Sequence, residues 1–184
     1  MARLPVILLC VVSLILLTPV WIILFALVYR EDRSFPILKQ ERIGKNKVPF
    51  SCYKIRTMKT STATVASHQA SYEEVTKVGK FLRRTGIDEL PQIANVLFGD
   101  MNIVGPRPCL PSQTALIEAR DAQNVYSVLP GITGLAQVQG LDMSDPERLT
   151  KIDSDYVQGR TLWLDIQIIW ATVRGKGAGD AIKP

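Results

Sequence analysis

The sequence predicts an α+β protein that is mainly helical and that is attached to a membrane through its N-terminus. Three observations lead to this class. An apolar stretch covers residues 4–29, apolar residues recur at helical spacing along much of the remaining chain, and a segment near residues 35–58 has the short alternating runs of a β-hairpin. A length of 184 residues suits one domain with appendages.

The apolar segment at residues 4–29 is long enough to cross a bilayer, and its only polar side chains are Ser13 and Thr18. A cleaved signal peptide is the main alternative, but the segment is longer than a signal core and no small-residue cleavage site follows it. Arg3 is the only side-chain charge before it, whereas six Lys and Arg residues follow within positions 30–47. The positive-inside rule therefore predicts that the downstream domain is cytoplasmic.

The dipeptide Thr18-Pro19 interrupts this segment near its second half. Proline removes a helical hydrogen bond and bends the helix, and a preceding threonine can satisfy a backbone group that the bend frees. The residues alone favour a kinked helix that spans the membrane.

The next element is a predicted β-hairpin with a Gly/Asn turn between extended runs at residues 36–38 and 50–56. Lys54 and Arg56 are two residues apart, so they project from one face of the second strand, which suits a phosphate clamp. Solvated charges on an edge strand are the simpler alternative.

Apolar residues at helical spacing predict further helices at residues 72–84, 111–128, 145–157 and 161–173. The last of these carries Trp163 and Trp170 near its apolar stripe, a pattern that fits an interfacial helix and a core helix equally well. A polar loop is predicted at residues 59–70, a backbone-shaping turn at 130–134, and a short strand or extended loop at 135–140.

The chain is organised around a further helix that follows two adjacent acids, Asp88 and Glu89. Proline is tolerated in the first helical turn, so Pro91 predicts a helix start near Asp88, and Gly99 predicts its end. The N-terminus of a helix favours negative charge, which would lower the pKa of both acids and keep them ionised. Capping of the helix by one acid is an equally simple explanation of the pair.

Arginines lie on both sides of the acid pair. Arg83 and Arg84 precede it, and the rigid turn Gly-Pro-Arg-Pro at residues 105–108 presents Arg107. Guanidinium is the side-chain group best suited to phosphate, and carboxylates can hold a divalent cation. This combination suggests chemistry on a phosphate ester.

Charge and cysteine content exclude several classes of function. Residues 30–60 hold nine Lys and Arg against three acids, a local charge of +6. The formal net charge of the whole chain is +5, so the remaining residues together carry −1. Such a local patch suits anionic lipid headgroups, and no nucleic-acid-binding motif is present. Cys10, Cys52, Cys109 and the only histidine, His68, have neither the spacing of a zinc site nor that of a disulfide framework.

Four motifs, in order, resemble those of the bacterial sugar transferases, the monotopic phosphoglycosyl transferases. They are Asp-Glu-Leu-Pro-Gln at 88–92, Gly-Asp-Met at 99–101, Val-Gly-Pro-Arg-Pro at 104–108 and Pro-Gly-Ile-Thr-Gly-Leu-Ala-Gln-Val at 130–138. Each motif alone is weakly specific, but the ordered set behind one hydrophobic segment is strongly specific. The likeness runs from about residue 4 to residue 175.

The resemblance implies transfer of a phosphosugar from a nucleoside-diphosphate sugar, by family default a UDP-sugar, to a polyprenyl phosphate such as undecaprenyl phosphate, with release of UMP. It implies that Asp88 is the nucleophile, forming an acyl-phosphate intermediate, and a ligand of Mg²⁺. Glu89 would position or deprotonate the lipid phosphate, and Gln137 would contact the sugar nucleotide. Phosphate charge would be neutralised by Lys54, Arg56, Arg83 and Arg107.

The resemblance also implies a topology. Thr18 and Pro19 would turn the first helix back, so that both of its ends stay on the cytoplasmic face of the bacterial inner membrane. The expected organisation is a re-entrant helix at residues 1–30, a compact catalytic domain with amphipathic interfacial helices at 31–175, and a flexible tail at 176–184. Membrane lipids are expected partners, and the reaction would be the first membrane step of glycoconjugate assembly.

The sequence departs from the family pattern at Leu129, Leu135 and Leu141-Asp142, where members often have arginine, tryptophan and arginine. These changes affect the expected donor-sugar contacts and leave the acid pair unchanged. Two other functions are considered. A membrane adaptor without activity would leave the adjacent acids unexplained, and a polyprenyl diphosphate phosphatase would release inorganic phosphate without any nucleotide sugar.

Overall fold

The fold is α+β and mainly helical, as the sequence predicts. A computed structural model describes residues 3–60 and 72–176. The helices in these ranges are α1 (Arg3–Leu16), α2 (Thr18–Asp32), α3 (Lys77–Thr85), α4 (Gln92–Phe98), α5 (Thr114–Ala122), α6 (Leu135–Val138), α7 (Pro146–Gly159) and α8 (Leu162–Val173). The strands are β1 (Ile37–Ile43), β2 (Pro49–Ile55), β3 (Asn102–Val104) and β4 (Gly131–Thr133). Most of the predicted polar loop, including His68, and the tail after residue 176 lie outside the described residues.

The apolar N-terminal segment is broken at the predicted place. Helices α1 and α2 meet at an angle of 62°, and among the described helices none is by itself both long and apolar enough to cross a membrane. The bent pair passes that test of length and composition when its two parts are taken together. The Thr18 hydroxyl donates to the Leu14 carbonyl at 3.1 Å, which is the predicted repair of a backbone group at the bend.

Both arms of the bent pair pack against the rest of the chain. Cys10 of α1 is buried in a cluster with Cys52 and Val96, and Leu24 and Val28 of α2 are buried in another cluster with Ile55 and Leu82. Between these contacts the bend exposes large apolar side chains, among them Ile15, Leu16, Ile22 and Ile23.

The predicted hairpin is confirmed. Strands β1 and β2 are antiparallel, with Leu38 opposite Lys54 and Ile43 opposite Pro49. The turn between them closes with a hydrogen bond from the Gly44 N–H to the Val48 carbonyl at 2.9 Å. Strand β1 is longer than predicted because it continues through Arg42 and Ile43. The Arg42 guanidinium donates to the Pro108 carbonyl, and the Ile43 side chain packs in a buried apolar cluster.

Residues 131–138 differ from the prediction. The expected turn contains strand β4, which pairs in parallel with β3, and the expected strand at 135–140 is instead the short helix α6. Backbone packing explains the strand: a Cβ added at Gly131 would lie 2.1 Å from the Gly105 nitrogen. The glycines of the two motifs therefore allow one motif to lie directly against the other.

Three helix boundaries also differ from prediction. Helix α3 begins at Lys77 because the Thr76 hydroxyl caps it by accepting from the Gly79 N–H at 2.9 Å. Helix α5 is shorter than residues 111–128, and a separate 3-10 turn follows it at Val125–Ser127. Helix α4 begins at Gln92 and not near Asp88, because a 3-10 turn, Ile87–Glu89, precedes it.

Helices α7 and α8 agree with their predicted positions. The side chains of Asp145 and Thr161 cap their first turns by accepting backbone N–H groups at 3.1 Å. Helix α8 has two different faces: Asp165 and Ile168 are buried, whereas Trp163 and Trp170 are 67% and 57% exposed. The helix therefore contributes to the core on one side and leaves its tryptophans outside it, so each of the two predicted roles is compatible with one face.

Candidate active site

The acid pair lies in the 3-10 turn between α3 and α4, and both side chains are buried. Asp88 is 2% exposed and Glu89 is 5% exposed. Gly86, with φ of 70°, ends α3 and begins this turn, a conformation that glycine adopts without strain. The N-cap position of α4 is Pro91, and no side chain caps that helix, so helix capping does not explain the acids.

Glu89 is held by two cations from distant parts of the chain. Both terminal nitrogens of Arg107 donate to its carboxylate, Nη1 to Oε2 at 3.2 Å and Nη2 to Oε1. Lys54 of β2 donates its Nζ to Oε1 at 3.3 Å. A bidentate guanidinium contact is the strongest pairing available to a carboxylate. We call Lys54, Asp88, Glu89 and Arg107 the acid–cation cluster.

The acid–cation cluster is positioned by polar contacts between α4 and β2. Asn95 of α4 is fully buried. Its side-chain amide donates to the Ser51 carbonyl at 2.7 Å and accepts from the Tyr53 N–H at 3.1 Å. The asparagine thus pairs with strand β2 in the way another strand would, and it places the acid turn beside Lys54.

Arg107 projects from the segment Gly105–Cys109, which follows β3. The Gly105 N–H donates to the Thr133 carbonyl at 2.9 Å, and the Pro106 carbonyl accepts from the Gly131 N–H at 3.0 Å. Two buried arginines continue this pattern: Arg120 donates to the carbonyl of Arg107 at 2.8 Å and Arg42 to that of Pro108 at 3.1 Å.

The other predicted site residues lie at varying places. Arg83 is buried on α3, and its Nε donates at 2.8 Å to the hydroxyl of Thr57, which lies two residues after the end of β2. Arg56 lies beyond the end of β2, and its Nε donates to the Phe35 carbonyl at 3.1 Å. Gln137 lies on α6, where its amide nitrogen donates to the Ile132 carbonyl at 3.2 Å. The contacts described for Arg56 and Gln137 do not reach the acid–cation cluster.

A narrow cleft, too small to hold a water molecule, lies beside the two cations of the cluster and is lined by Arg42, Cys52, Lys54, Gln92, Arg107 and Pro108. Burial raises the pKa of the Cys52 thiol, although Lys54 acts in the opposite direction. The thiol is therefore protonated at neutral pH, which makes it a poor nucleophile. A wider cavity of about 560 Å³ lies between α8 and β3, and no member of the cluster lines it.

The donor set of the cluster fits a metal that is shared with a substrate. Among the described residues, no three metal-ligating side chains converge into a site of their own. Mg²⁺ usually keeps several waters and takes one or two carboxylates together with substrate phosphates. Asp88 and Glu89 are carboxylates of this kind, and Lys54 and Arg107 contact that of Glu89.

A comparison with known protein families shows the family of this chain. Residues 1–176 match the model of a family described as bacterial sugar transferase. The chain belongs to the bacterial sugar transferase family. The four motifs that resemble this family are therefore family motifs, and the structure brings three of them together: the acid turn, the Gly105–Cys109 segment and strand β4.

The chain is similar in sequence to several proteins that are named as sugar transferases. The chain is 39% identical over 176 residues to a UDP-glucose:undecaprenyl-phosphate glucose-1-phosphate transferase of Caulobacter vibrioides, covering 89% of this chain and 66% of that protein. It is 38% identical to a transferase of the same name from Klebsiella pneumoniae, covering 87% and 36%. It is 37% identical to an uncharacterised sugar transferase of Bacillus subtilis, covering 91% and 80%. The chain thus spans about a third of the length of the Klebsiella pneumoniae protein.

Sequence reasoning missed several polar residues that position this sugar transferase site. Arg42, Asn95, Arg120 and Asp153 are all buried. A signal existed for one of them. Arg120 follows the buried Leu116 by four residues on α5, so helical periodicity turns it toward the core.

Proposed function

We propose that this chain transfers a phosphosugar from a UDP-sugar to a polyprenyl phosphate at a membrane surface, giving polyprenyl-diphospho-sugar and UMP. The observation that carries the proposal is the acid–cation cluster: two adjacent buried carboxylates, with a bidentate arginine and a lysine on the second of them. Buried carboxylates with cations beside them suit a reaction in which a carboxylate attacks a phosphate. Membership of the family and the names of the relatives support the same reaction.

In the proposed first step, an Asp88 carboxylate oxygen attacks the phosphorus that carries the sugar. A bond forms between Asp88 and that phosphorus, and the bond from the phosphorus to the bridging oxygen of the diphosphate breaks, so that UMP leaves. In the second step an oxygen of the polyprenyl phosphate attacks the same phosphorus, and the Asp88 carboxylate is released. Because the second attack restores the carboxylate, the chain is ready for another cycle.

We assign Glu89, Lys54 and Arg107 to the handling of phosphate charge. In the absence of substrate, Glu89 holds both cations in place. A phosphate group can replace a carboxylate as the partner of a guanidinium, so an arriving diphosphate would take over Arg107 and Lys54. Glu89 would then be free to accept a proton from the lipid phosphate. Arg83, Arg56 and Gln137 stay predicted contacts of the substrate.

Mg²⁺ is the proposed cofactor, with Asp88 as the side chain that would hold it. A bound divalent cation would neutralise part of the diphosphate charge and orient the leaving group. The remaining negative charge falls to Lys54 and Arg107, which already lie within one cleft.

The bent helix pair α1 and α2 is proposed to enter the membrane and turn back, leaving the catalytic part on the cytoplasmic side. Both arms pack on the same domain, while the bend exposes its apolar side chains. At the end of α2, the Glu31 carboxylate accepts N–H groups of Lys77 at 2.6 Å and Val78 at 3.0 Å. This contact joins the membrane segment to α3, which carries Arg83, and so would keep the site close to its lipid substrate.

The reaction is tested by measuring nucleotide release from purified protein in detergent, with undecaprenyl phosphate and a panel of nucleotide sugars. We expect UMP with one donor, loss of release when Mg²⁺ is chelated, and a loss of at least about a thousandfold in Asp88→Asn. The exposed Asp121→Asn is the matched control and should keep full activity. Release of inorganic phosphate without a nucleotide sugar would instead identify a phosphatase.

A phosphosugar adduct gives the most direct test of the nucleophile. Mass spectrometry of protein incubated with the donor alone should find the added mass on the peptide that contains Asp88. Turnover without this adduct, even in rapidly quenched samples, would reject a covalent intermediate.

The topology is tested with a single cysteine at Ala2, in a variant that lacks the native cysteines, labelled in intact cells by a membrane-impermeant reagent. A re-entrant helix leaves this position unlabelled until the cells are opened. Labelling from the outer side of the membrane would show that the segment spans it.

A further inference from the structure

The segment Gly105–Cys109 carries Arg107, and its backbone carbonyls are held one after another by different elements. Pro106 accepts from the Gly131 N–H of β4, and Cys109 accepts from the Ile43 N–H of β1 at 2.9 Å. Between them, the Arg107 and Pro108 carbonyls accept from the buried side chains of Arg120 and Arg42. Because prolines lack an N–H, this segment depends on its carbonyls for much of its anchoring.

Arg120 joins this segment to α7. Its Nε and Nη2 both donate to Oδ2 of Asp153, at 3.0 and 2.6 Å, and its Nη1 donates to the Arg107 carbonyl. The side chains of Arg120 and Asp153 are only 2% and 3% exposed. Three donors of one planar guanidinium are thus used at once, in a geometry that lysine cannot reproduce.

We propose that Arg120 and Asp153 are positioning residues for the transfer reaction: together they fix the backbone from which Arg107 reaches Glu89. Asp153 orients the guanidinium of Arg120, Arg120 holds the Arg107 carbonyl, and the Arg107 side chain holds the carboxylate of the acid pair. The inference rests on the proposed function for its kinetic effect, whereas the anchoring of the segment does not depend on any activity.

Buried ion pairs often have only a structural role, and the position of this pair argues for a more specific one. Replacing such a pair by apolar residues of similar size is often tolerated by the fold. The replacement cannot supply a donor for the Arg107 carbonyl, however. The double variant Arg120→Met/Asp153→Leu therefore separates the two roles, because it leaves no buried charge unpaired and still removes the anchor.

The chain contains its own reporter for the anchor. Cys109 closes the segment and is 0% exposed, while Cys10 on α1 is 4% exposed and lines neither the segment nor the cleft beside it. Thiol labelling of the whole protein in detergent, resolved by peptide mass spectrometry, measures how often each site opens. In the double variant we expect Cys109 to be labelled about tenfold faster and Cys10 to be labelled at its original rate. Arg120 is absent from this variant, so a faster reaction cannot arise from its charge.

The kinetic test uses a cycle with Arg107. We expect the double variant to lower kcat/KM for the nucleotide sugar about tenfold, and to have little further effect in an Arg107→Ala background, since the effect is transmitted through Arg107. Arg120→Lys, which keeps the charge, should have a kcat/KM between that of the unaltered protein and that of the double variant. Asp121→Asn, next to Arg120 on the same helix, should change neither labelling nor turnover.

Several outcomes would overturn the proposal. Parallel acceleration of Cys109 and Cys10 would indicate general loosening of the fold, and an unchanged Cys109 rate would show that the segment needs no such anchor. A full tenfold loss in the Arg107→Ala background would place the effect elsewhere. If the unaltered protein releases no UMP with any donor, the proposed function fails, and the labelling rates alone decide whether Arg120 anchors the segment.

Discussion

Two groups of charged side chains meet at Arg107, and they differ in how far they are closed to solvent. At the side-chain end of Arg107 lies the acid–cation cluster, beside a narrow cleft. Its side chains are 13% (Arg107), 8% (Lys54) and 7% (Glu89) exposed. On the backbone end, Arg120 and Asp153 are 2% and 3% exposed. The first group is therefore the more accessible of the two to solvent and ligands. The second is suited to hold its geometry, which indicates that one residue joins a reactive group to a fixed one.

The comparison predicts the largest stability effect in the closed group. Asp153→Ala should lower the free energy of unfolding by about 3–5 kcal/mol, because it leaves the Arg120 guanidinium buried without its carboxylate. Denaturation of the protein in detergent, followed by circular dichroism, measures this change. The double variant Arg120→Met/Asp153→Leu should recover most of the loss. Equal destabilisation by the single and double variants would mean that packing, and not the buried charge, determines the stability here.

The open group should show the opposite pattern, with a smaller effect that falls on turnover. Arg107→Lys keeps the charge but loses the two parallel N–H groups, so we expect kcat/KM to fall about 10- to 100-fold, equivalent to about 1.4–2.7 kcal/mol. The unfolding free energy should change by less than about 1 kcal/mol, because the lysine keeps a positive charge beside Glu89 and Lys54 still contacts that carboxylate. An Arg107→Lys protein with full turnover would show that bidentate geometry is unnecessary and that charge alone is enough.

Local signals predicted the parts of the fold that depend on neighbours in the chain. Helices α7 and α8 begin where Asp145 and Thr161 can cap them, and the hairpin turn follows from its glycine and asparagine. Strand β4 could not be foreseen in this way, since its partner β3 lies almost thirty residues earlier. The glycines at 105 and 131 are explained only when the two backbones are seen in contact.

The same distinction applies to the candidate site. The residue types around Asp88 and Glu89 indicated phosphate chemistry, but the expected helix start was wrong because a 3-10 turn intervenes. The pairing of Glu89 with Arg107 joins residues eighteen positions apart, and no sequence spacing predicts it. Arg120 lies one turn after the buried Leu116, but helical spacing alone does not name its partner. The carboxylate that accompanies it, Asp153, lies on a different helix.

A third charge pair provides the smallest expected effect and the sharpest check on the role of burial. Lys47 in the hairpin turn contacts Asp121 on α5 at 2.6 Å, and both side chains are 49% exposed. Asp121 is the neighbour of Arg120, so one helix carries an open and a closed ion pair at consecutive positions. Water solvates the open pair before and after it is broken, and salt screens it.

Lys47→Ala should therefore lower the unfolding free energy by no more than about 1 kcal/mol and leave UMP release unchanged. The difference between this variant and the unaltered protein should shrink further in 1 M salt, where charges are screened within about 3 Å. Denaturation at low and high salt measures both effects. A loss as large as that of Asp153→Ala would mean that docking of the hairpin turn onto α5 is essential, and exposure would then be a poor guide to which ion pairs this fold depends on.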